Sequence, residues 1–475
     1  MTAQIEVGEL PARAADLLAR GYRVALMAAH DDKRLVYLFT RPHHRTELHV
    51  RLSAPEFPSL AALSFPAGRF EREIRDLYGL TPLDHPLPRR LVRHHHWPRG
   101  WYPMLAHAGP PPAFGDPEGP YPFGDVAGDG VYEIPVGPVH AGMIEPGHFR
   151  FSVVGETILK LKARLWFVHK GIEKLFLGRR PEDGLELAER VSGDTSAGHA
   201  LAYCLAVEEA TGIAVDPDAQ RARAVILELE RLYNHVTDLG ALCNDVAHGI
   251  LNAHCGRVRE RLLRLNAEVT GHRLLRGAIT PGGVHPVSLP AMTTLREIGA
   301  DLAEITGLAL GHGVVADRFT GTAVLSRRAA ADLGTLGYVA RASGLDTDAR
   351  RDHPFADVGP FQVSTRTSGD VMARFQVRAD EVATSIDLIE HLLGSTQDWS
   401  LPGAHRDSGV GIVEGWRGTI VHRVELSSGR LTRVKIVDPS FFNWPALPVA
   451  LDGAIVPDFP LVNKSFNLSY AANDL

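Results

Sequence analysis

Between Pro98 and Gly130 the chain carries Gly109-Pro110-Pro111-Pro112 and Gly115-Asp116-Pro117-Glu118-Gly119-Pro120. A stretch so dense in proline and glycine cannot run on as helix or strand. It divides a chain of 475 residues, longer than one hydrophobic core usually supports. The expected organisation is a small first domain at 1–97, a linker at 98–131 and a large second domain at 132–475. An irregular segment of this length suits a tether between domains better than a loop within one.

Hydrophobic periodicity gives each part its class. The first domain reads as a helix over Leu10 to Arg20, strands at Arg23–Ala28, Arg34–Thr40 and Glu47–Ser53, and a helix from Pro66 to Tyr78. His30-Asp31-Asp32 is placed as a turn, and Gly79 as the residue that closes the second helix. The second domain opens on a hairpin, Phe149–Val154 and Thr157–Lys162 around Gly155, and then turns helical. From the Asp216-Pro217 start, Val225, Leu229, Leu232, Val236 and Leu239 form one buried stripe. Further helices are expected over Gly256–Leu275, Pro290–Leu310, Arg327–Ala342 and Val377–Leu393. A hairpin of Gly418–Leu426 and Leu431–Val437 follows around Ser427-Ser428-Gly429. The fold class is α+β, with a small N-terminal α/β sandwich-like domain and a mainly α-helical bundle with small peripheral β-sheets.

Charge and cysteine usage exclude several functions. A formal charge of -6 leaves no basic footprint for nucleic acid. No run of eighteen apolar residues and no apolar leader is present, so neither a span nor a secretory signal is expected. Cys204, Cys243 and Cys255 form no Cys-x-x-Cys pair, so any iron–sulfur cluster must belong to a partner. His94-His95-His96 lacks a carboxylate or cysteine neighbour to complete a metal site. No strand-linked Gly-x-Gly-x-x-Gly fingerprint appears for NAD.

Two resemblances carry the function. Phe70-Glu71-Arg72-Glu73-Ile74-Arg75-Asp76-Leu77-Tyr78-Gly79, with Asp84-His85-Pro86 and Arg89-Arg90, resembles the 30-kDa family of complex I, the NADH:quinone oxidoreductase. Arginine forks and carboxylates without a nucleophile–base pair suit docking rather than catalysis. From Pro135 to Leu475 the chain resembles the complex I 49-kDa and group 4 [NiFe]-hydrogenase large-subunit family. The matching residues are Gly137-Pro138-Val139-His140, Glu145-Pro146-Gly147-His148-Phe149-Arg150, and His169-Lys170-Gly171-Ile172-Glu173. Glu228, Arg231 and His235 add one helical face. Asp346-x-Asp348-x-Arg350, Asp352-His353-Pro354, Gly369-Asp370 to Arg374, and Glu414-Gly415-Trp416-Arg417 continue the order.

Hydrogenases of this family hold nickel and iron with two Cys-x-x-Cys pairs. Here Ser192 and Thr195 stand in the first pair's place and Ser440 and Asn443 in the second's. Neutral hydroxyl and amide oxygens are hard, weak substitutes for soft anionic thiolates, so no metal ligands and no hydrogenase activity are expected. The resemblance implies that His140, His148, Arg150, Asp194, His199 and Arg417 line the former metal cavity as candidate catalytic residues, with Glu145 and Gly193 beside His140 and Arg417 as cofactor contacts. In the complex I branch that cavity receives a quinone head group. Gly193 replaces the quinone-binding tyrosine and Ala141-Gly142-Met143-Ile144 the usual histidine loop, so any head group would bind by other contacts.

The resemblance further implies an oxidoreductase subunit with no cofactor of its own, typical of the formate-hydrogenlyase and hydrogenase-4 lineage, with NAD binding entering only through the wider complex. Its partners would be a small subunit of the complex I B type with a [4Fe–4S] cluster, an integral-membrane protein of the complex I H type and other complex I-like membrane proteins. It would sit peripherally on the cytoplasmic face of the inner membrane. A structural or coupling subunit without a redox site is the alternative, and a true hydrogenase the third reading.

Overall fold

The computed structural model describes residues 2–31, 33–115, 119–395 and 406–475. Asp32, in the expected turn, and Asp116, Pro117 and Glu118, in the expected linker, lie outside the described residues. The chain forms an α+β fold: a small α/β domain, a helical bundle and small sheets at its margins.

The first domain is a four-stranded sheet in the order Thr2–Ile5, His44–Arg51, Arg34–Arg41, Arg23–Ala29. Its first strand, which hydrophobic periodicity does not reveal, pairs parallel with His44–Arg51, and the other pairings are antiparallel. Helices Leu10–Ala19 and Phe65–Tyr78 accompany it. The second ends at Gly79, whose φ of +73° is the left-handed turn that glycine adopts without steric cost.

The expected linker contains no helix or strand over its described residues as far as Gly130, but it is not a free tether. Lys174 Nζ donates to the carbonyls of Pro103 and Leu105, and Arg89 and Arg90 donate to those of Pro122 and Gly119. Arg164 lies 4.6 Å over the Tyr121 ring and Arg150 4.6 Å over that of Phe123. Hydrogen bonds and cation–π contacts make the segment a strap across both parts. Strand Val131–Val136 then adds to the His148–Val154 and Thr157–Arg164 hairpin as a third strand.

The bundle is built on Ser196–Thr211, Pro217–Asp245, Gly249–Thr270, Met292–Gly311 and Val371–Gly394. Asp216 caps the second of these through Asp218 N–H, and Asp370 caps the last through Ala373 N–H. The helix expected over Arg327–Ala342 is two short ones, Arg327–Leu333 and Gly337–Ala342. It breaks at Gly334, whose φ of +69° caps the first helix in the left-handed region, and Gly337, at φ +65°, opens the second so close to Arg417 that a Cβ would stand 1.9 Å from the Arg417 carbonyl oxygen. The late hairpin has a third strand, Ser408–Gly415, in register with Gly418–Ser427. No single described helix is long and apolar enough to cross a membrane.

The two parts share a face. Arg34 makes a bidentate pair with Glu425 at 2.9 and 2.6 Å, Arg423 reaches Glu47 at 3.2 Å, and Lys435 reaches Glu73 at 2.6 Å. Phe70 stacks on Phe441 at 4.5 Å. The Glu71–Asp76 motif thus serves two purposes. Glu71 accepts from Ser59 Oγ and Leu60 N–H, and Asp76 from Leu91 and Val92 N–H, inside the first domain. Glu73 and Arg69 face outward to Lys435 and Asn473.

Candidate functional site

The turn Ser192-Gly193-Asp194-Thr195 leads into the Ser196–Thr211 helix. Asp194 is its centre. Arg417 Nη1 and Nη2 donate to Asp194 Oδ1 and Oδ2 at 2.7 and 2.6 Å, the fork geometry that fixes orientation as well as charge. Ser192 Oγ and Thr195 Oγ1 donate to Oδ1 at 2.9 and 3.0 Å. Burial pushes the Asp194 carboxyl up, but the Arg417 charge and these hydrogen bonds outweigh it and hold the pKa down at about 2. Arg417 is itself positioned by the Asn467 carbonyl at 2.6 Å from Nε, and lies 3.9 Å over the Trp416 ring. Trp416 Nε1 donates to the Asp194 carbonyl and to Thr195 Oγ1, both at 3.1 Å. Asp194 remains partly exposed and Gly193 exposed.

Of the four residues expected in place of metal-binding cysteines, Ser192, Thr195 and Ser440 belong to this network. Ser192 Oγ lies 2.9 Å from Ser469 Oγ, and Ser469 N–H donates to Ser440 Oγ at 3.0 Å. Asn443 instead holds a loop: its Oδ1 accepts from Leu336 N–H at 2.8 Å and its Nδ2 donates to the Leu336 carbonyl. Each is neutral, hard and engaged with protein partners, so the donor set does not fit nickel or iron. Among the described residues no group of three or more His, Cys, Asp or Glu side chains is arranged to hold a metal ion. The aromatic side chains after Ser440 are buried: Phe441 and Phe442 contact Phe70, and Trp444 packs against Tyr470 at 4.8 Å. A cavity of about 20 Å³ remains between Asp438, Phe441 and the 472–475 segment. By volume that is room for about one water molecule.

The other predicted residues fall into separate places. His199 is fully buried, with Nε2 3.1 Å from Asp438 Oδ2 and Nδ1 3.0 Å from His422 Nε2. Asp438 also accepts from Ser440 N–H, so the His199 relay borders the hydroxyl cluster. Burial, reinforced by His199, drives the His422 pKa well below its usual value. His140 contacts the far side of the Ser469 turn, with Nε2 3.3 Å from Tyr470 Oη, and Glu145 accepts from Ala471 N–H at 2.8 Å. Val139 and Met143 beside His140 are 82% and 99% exposed, leaving the altered histidine loop in solvent. His148 and Arg150 stand on alternate positions to the buried Phe149 and Phe151, so they face away from the core. They meet Phe123, and Arg150 pairs with Glu133 at 3.3 Å. The structure therefore brings Asp194, Arg417, Ser192, Thr195 and Ser440 together and borders them with His199 and His140, but leaves His148 and Arg150 apart.

Behind Trp416 the bundle holds a buried ionic lattice. Glu228 accepts from Arg231 and Arg350, both at 3.1 Å, and from Ser385 at 2.6 Å. Arg341 bridges Glu381 and Glu414, and Arg350 chelates Asp348. His235 Nε2 lies 2.7 Å from Glu381, and burial lowers its pKa to about 4. Glu173 sits at the domain face, bound to Arg433, Lys435 and Ile436 N–H. Asp438, His422, Ser469 and Glu230 were not singled out in the sequence. Glu230 directly precedes Arg231 and Asp438 lies two residues before Ser440, beside residues that the sequence marks, whereas His422 and Ser469 become partners only through folding.

Residues 12–108 match the family described as the 30-kDa subunit of respiratory-chain NADH dehydrogenase. Residues 170–243 match nickel-dependent hydrogenase and 245–401 the 49-kDa subunit of respiratory-chain NADH dehydrogenase. The chain is 33% identical to formate hydrogenlyase subunit 5 of Escherichia coli K12 over 90% of its own length and 78% of that protein's. Against hydrogenase-4 component G of the same organism it is 34% identical over 90% and 77%. The chain belongs to this family of fused complex I-like large subunits. Members of the wider family include the NADH-quinone oxidoreductase C/D subunit of Phocaeicola vulgatus, 31% identical over 71% of this chain and 70% of that protein. A chain of the membrane-bound sulfane sulfur reductase, an archaeal respiratory membrane complex, shares the fold at a TM-score of 0.64 and 24% identity, over 73% of this chain and 98% of that one. Within this oxidoreductase family the present chain has three cysteines, Cys204, Cys243 and Cys255, all buried and none in a Cys-x-x-Cys pair.

Proposed function

We propose that this chain is the peripheral large subunit of a membrane-bound, complex I-like oxidoreductase, and that its Asp194–Arg417 site receives a quinone-type head group beside a partner's [4Fe–4S] cluster. One observation supports this above others: where thiolates would hold metal, a guanidinium–carboxylate fork remains, its Asp194 side partly exposed at a turn whose Gly193 has open space for 4 Å around the place a Cβ would take. On the exposed side a head group meets the Asp194 carboxylate, and the buried Arg417 guanidinium behind it is the group that would favour negative charge developing on a carbonyl oxygen. His140 is the candidate for a second hydrogen bond, since its Nε2 meets Tyr470 Oη at 3.3 Å, next to Ser469 of the hydroxyl cluster. Asp194 keeps Arg417 oriented and shares its charge. Electrons would come from the small iron–sulfur partner, because the cysteines are scattered and buried in this chain.

The reading extends to an iron–sulfur partner of the complex I B type, an integral-membrane partner of the H type, and a place on the cytoplasmic face of the membrane. A second reading, a coupling role without a redox site, is favoured by the filling of the space behind Ser440 with Phe441, Phe442 and Trp444. Binding of a quinone analogue to the assembled complex separates the two. The acceptor reading expects loss of binding by on the order of tenfold or more in Arg417→Ala and His140→Ala, with assembly intact. Unchanged binding in both variants supports the coupling role instead. Nickel bound one to one, together with hydrogen turnover, would overturn both.

A further inference from the structure

Glu230 lies two residues beyond Glu228 on the same helix and so points to a different side. The two carboxylates have opposite surroundings. Glu228 is clasped by Arg231 and Arg350, which outweigh its burial and lower its pKa. Glu230 is fully buried, and its two oxygens each accept one backbone N–H, from Ala197 at 2.7 Å and Gly198 at 2.9 Å. Among the described residues no arginine, lysine or histidine forms an ion pair with it.

Those amides open the 16-residue Ser196–Thr211 helix, directly after the Asp194 turn. A helix N-terminus favours an anion, but only by a fraction of what a buried carboxylate loses in leaving water. The charged groups around it are spoken for. Arg231 is turned to Glu228 and the carbonyls of Glu414 and Gly415; Arg417 is taken by Asp194; Arg276 reaches Ser196 Oγ at 3.3 Å. Tyr233 and Asn234, from its own helix, both donate to the Asp194 carbonyl, and Asn234 also donates to that of Glu230. Gly198 keeps the two sites adjacent: a Cβ there would come 3.2 Å from both Glu230 Oε2 and Thr195 Cγ2.

We propose that Glu230 is a proton-binding residue, neutral at rest, whose ionisation places a negative charge directly behind the Asp194–Arg417 site. The geometry gives an acid without a cation, at the start of the helix that carries the site. Burial, with Asp194 adding to it, pushes its pKa up to about 8 against the pull of the two amides and of the nearby Arg231 charge. Resting on the acceptor reading above, the consequence is linkage. An ionised Glu230 weakens binding of negative charge at Arg417, and negative charge at Arg417 strengthens the hold of Glu230 on its proton.

Infrared difference spectroscopy on the assembled complex tests the proton itself. The wild type should show a neutral carboxylic acid band at neutral pH that exchanges in D2O and disappears as pH rises through about 8. Glu230→Gln should remove that component, and Glu228→Gln should retain it. Should Glu230→Gln fail to assemble, the wild type with carboxyl-labelled glutamate decides, because absence of any neutral glutamic acid band titrating there overturns the proposal. So does an identical band in Glu230→Gln. The second arm uses a hydroxynaphthoquinone anion as probe. Its affinity should fall as pH rises through the Glu230 midpoint in the wild type, at most about tenfold per unit, and lose that dependence in Glu230→Gln. Equal dependence in both proteins overturns the link to the site. A probe that binds neither protein, beside an intact infrared titration, removes the acceptor reading and leaves the Glu230 proton standing.

Discussion

Arg417 holds Asp194 by both carboxylate oxygens, and this single contact decides how the site responds to acid. A carboxyl held at about 2 in the folded chain and 3.8 as its ordinary value favours folding above the higher figure and loses that contribution as pH falls through the lower. Arg417→Gln removes the charge that depresses Asp194. The difference in thermal stability between wild type and Arg417→Gln is therefore expected to shrink as pH falls from about 4 to about 2. Melting curves at closely spaced pH values measure it, and a difference that stays constant over that window would refute the assignment of Asp194 as the acid-sensitive partner. At this scale much of the site was legible in the sequence. Motif neighbours mark Asp194, His199, Arg417, Ser192, Thr195, Ser440 and Asn443 as candidates, and the fold brings Asp194, Arg417, Ser192, Thr195 and Ser440 into one hydrogen-bonded cluster. What was not legible is partnership. Ser469 and His422 lie far along the chain from Ser192 and His199, and no periodicity announces a hydrogen bond formed only by folding.

At the scale of elements, the Ser196–Thr211 helix shows why the sequence left a long helix unassigned. It is apolar nearly all round because it is buried on nearly every side, so it has no polar face to set against an apolar stripe. Ala202, Ala206 and Ala210 line one of its sides at four-residue spacing, and strand Ser408–Gly415 lies directly on them. A Cβ on Gly411 would stand 1.9 Å from the Ala202 carbonyl oxygen, and one on Gly409 2.1 Å from that of Ala206. The strand had no alternating signal of its own, since seven of its eight residues are buried. Arg34–Arg41, Pro217–Asp245, Gly418–Ser427 and Arg430–Val437 are also largely buried, yet they were found within a few residues because turn residues or a capped start mark their ends. Gly411→Ala is expected to destabilise the chain by about 3 kcal/mol, because backbone meets backbone and no side chain can yield. Chemical denaturation would show this as a lowered midpoint at unchanged slope, and a midpoint within error of the wild type would mean that strand and helix can separate freely.

For the whole molecule, the division drawn at the proline- and glycine-rich segment is a division of sequence more than of structure. The buried hydrophobic cluster runs from the first domain into the second without a break, through Phe70, Phe441 and Phe442. Around that aromatic contact stand the Arg34–Glu425, Arg423–Glu47 and Lys435–Glu73 pairs, with Arg423 and Lys435 almost wholly buried. Such pairs add orientation more than net stability, but separating the domains would leave their charges uncompensated, which is strongly unfavourable. The strap across Tyr121 and Phe123 ties the same faces again. Two cores joined this way should not melt separately, although two-domain chains commonly do. Calorimetry of the purified chain is expected to show one unfolding transition, coincident with loss of tryptophan fluorescence and of helical circular dichroism. Phe441→Ala should move that single transition down by removing about 3–5 kcal/mol of packing rather than split it. Two transitions in the wild type would mean that the shared face does not couple the domains. The first domain would then be only a docking module, and the Glu73–Lys435 contact would be a hinge instead of part of one core.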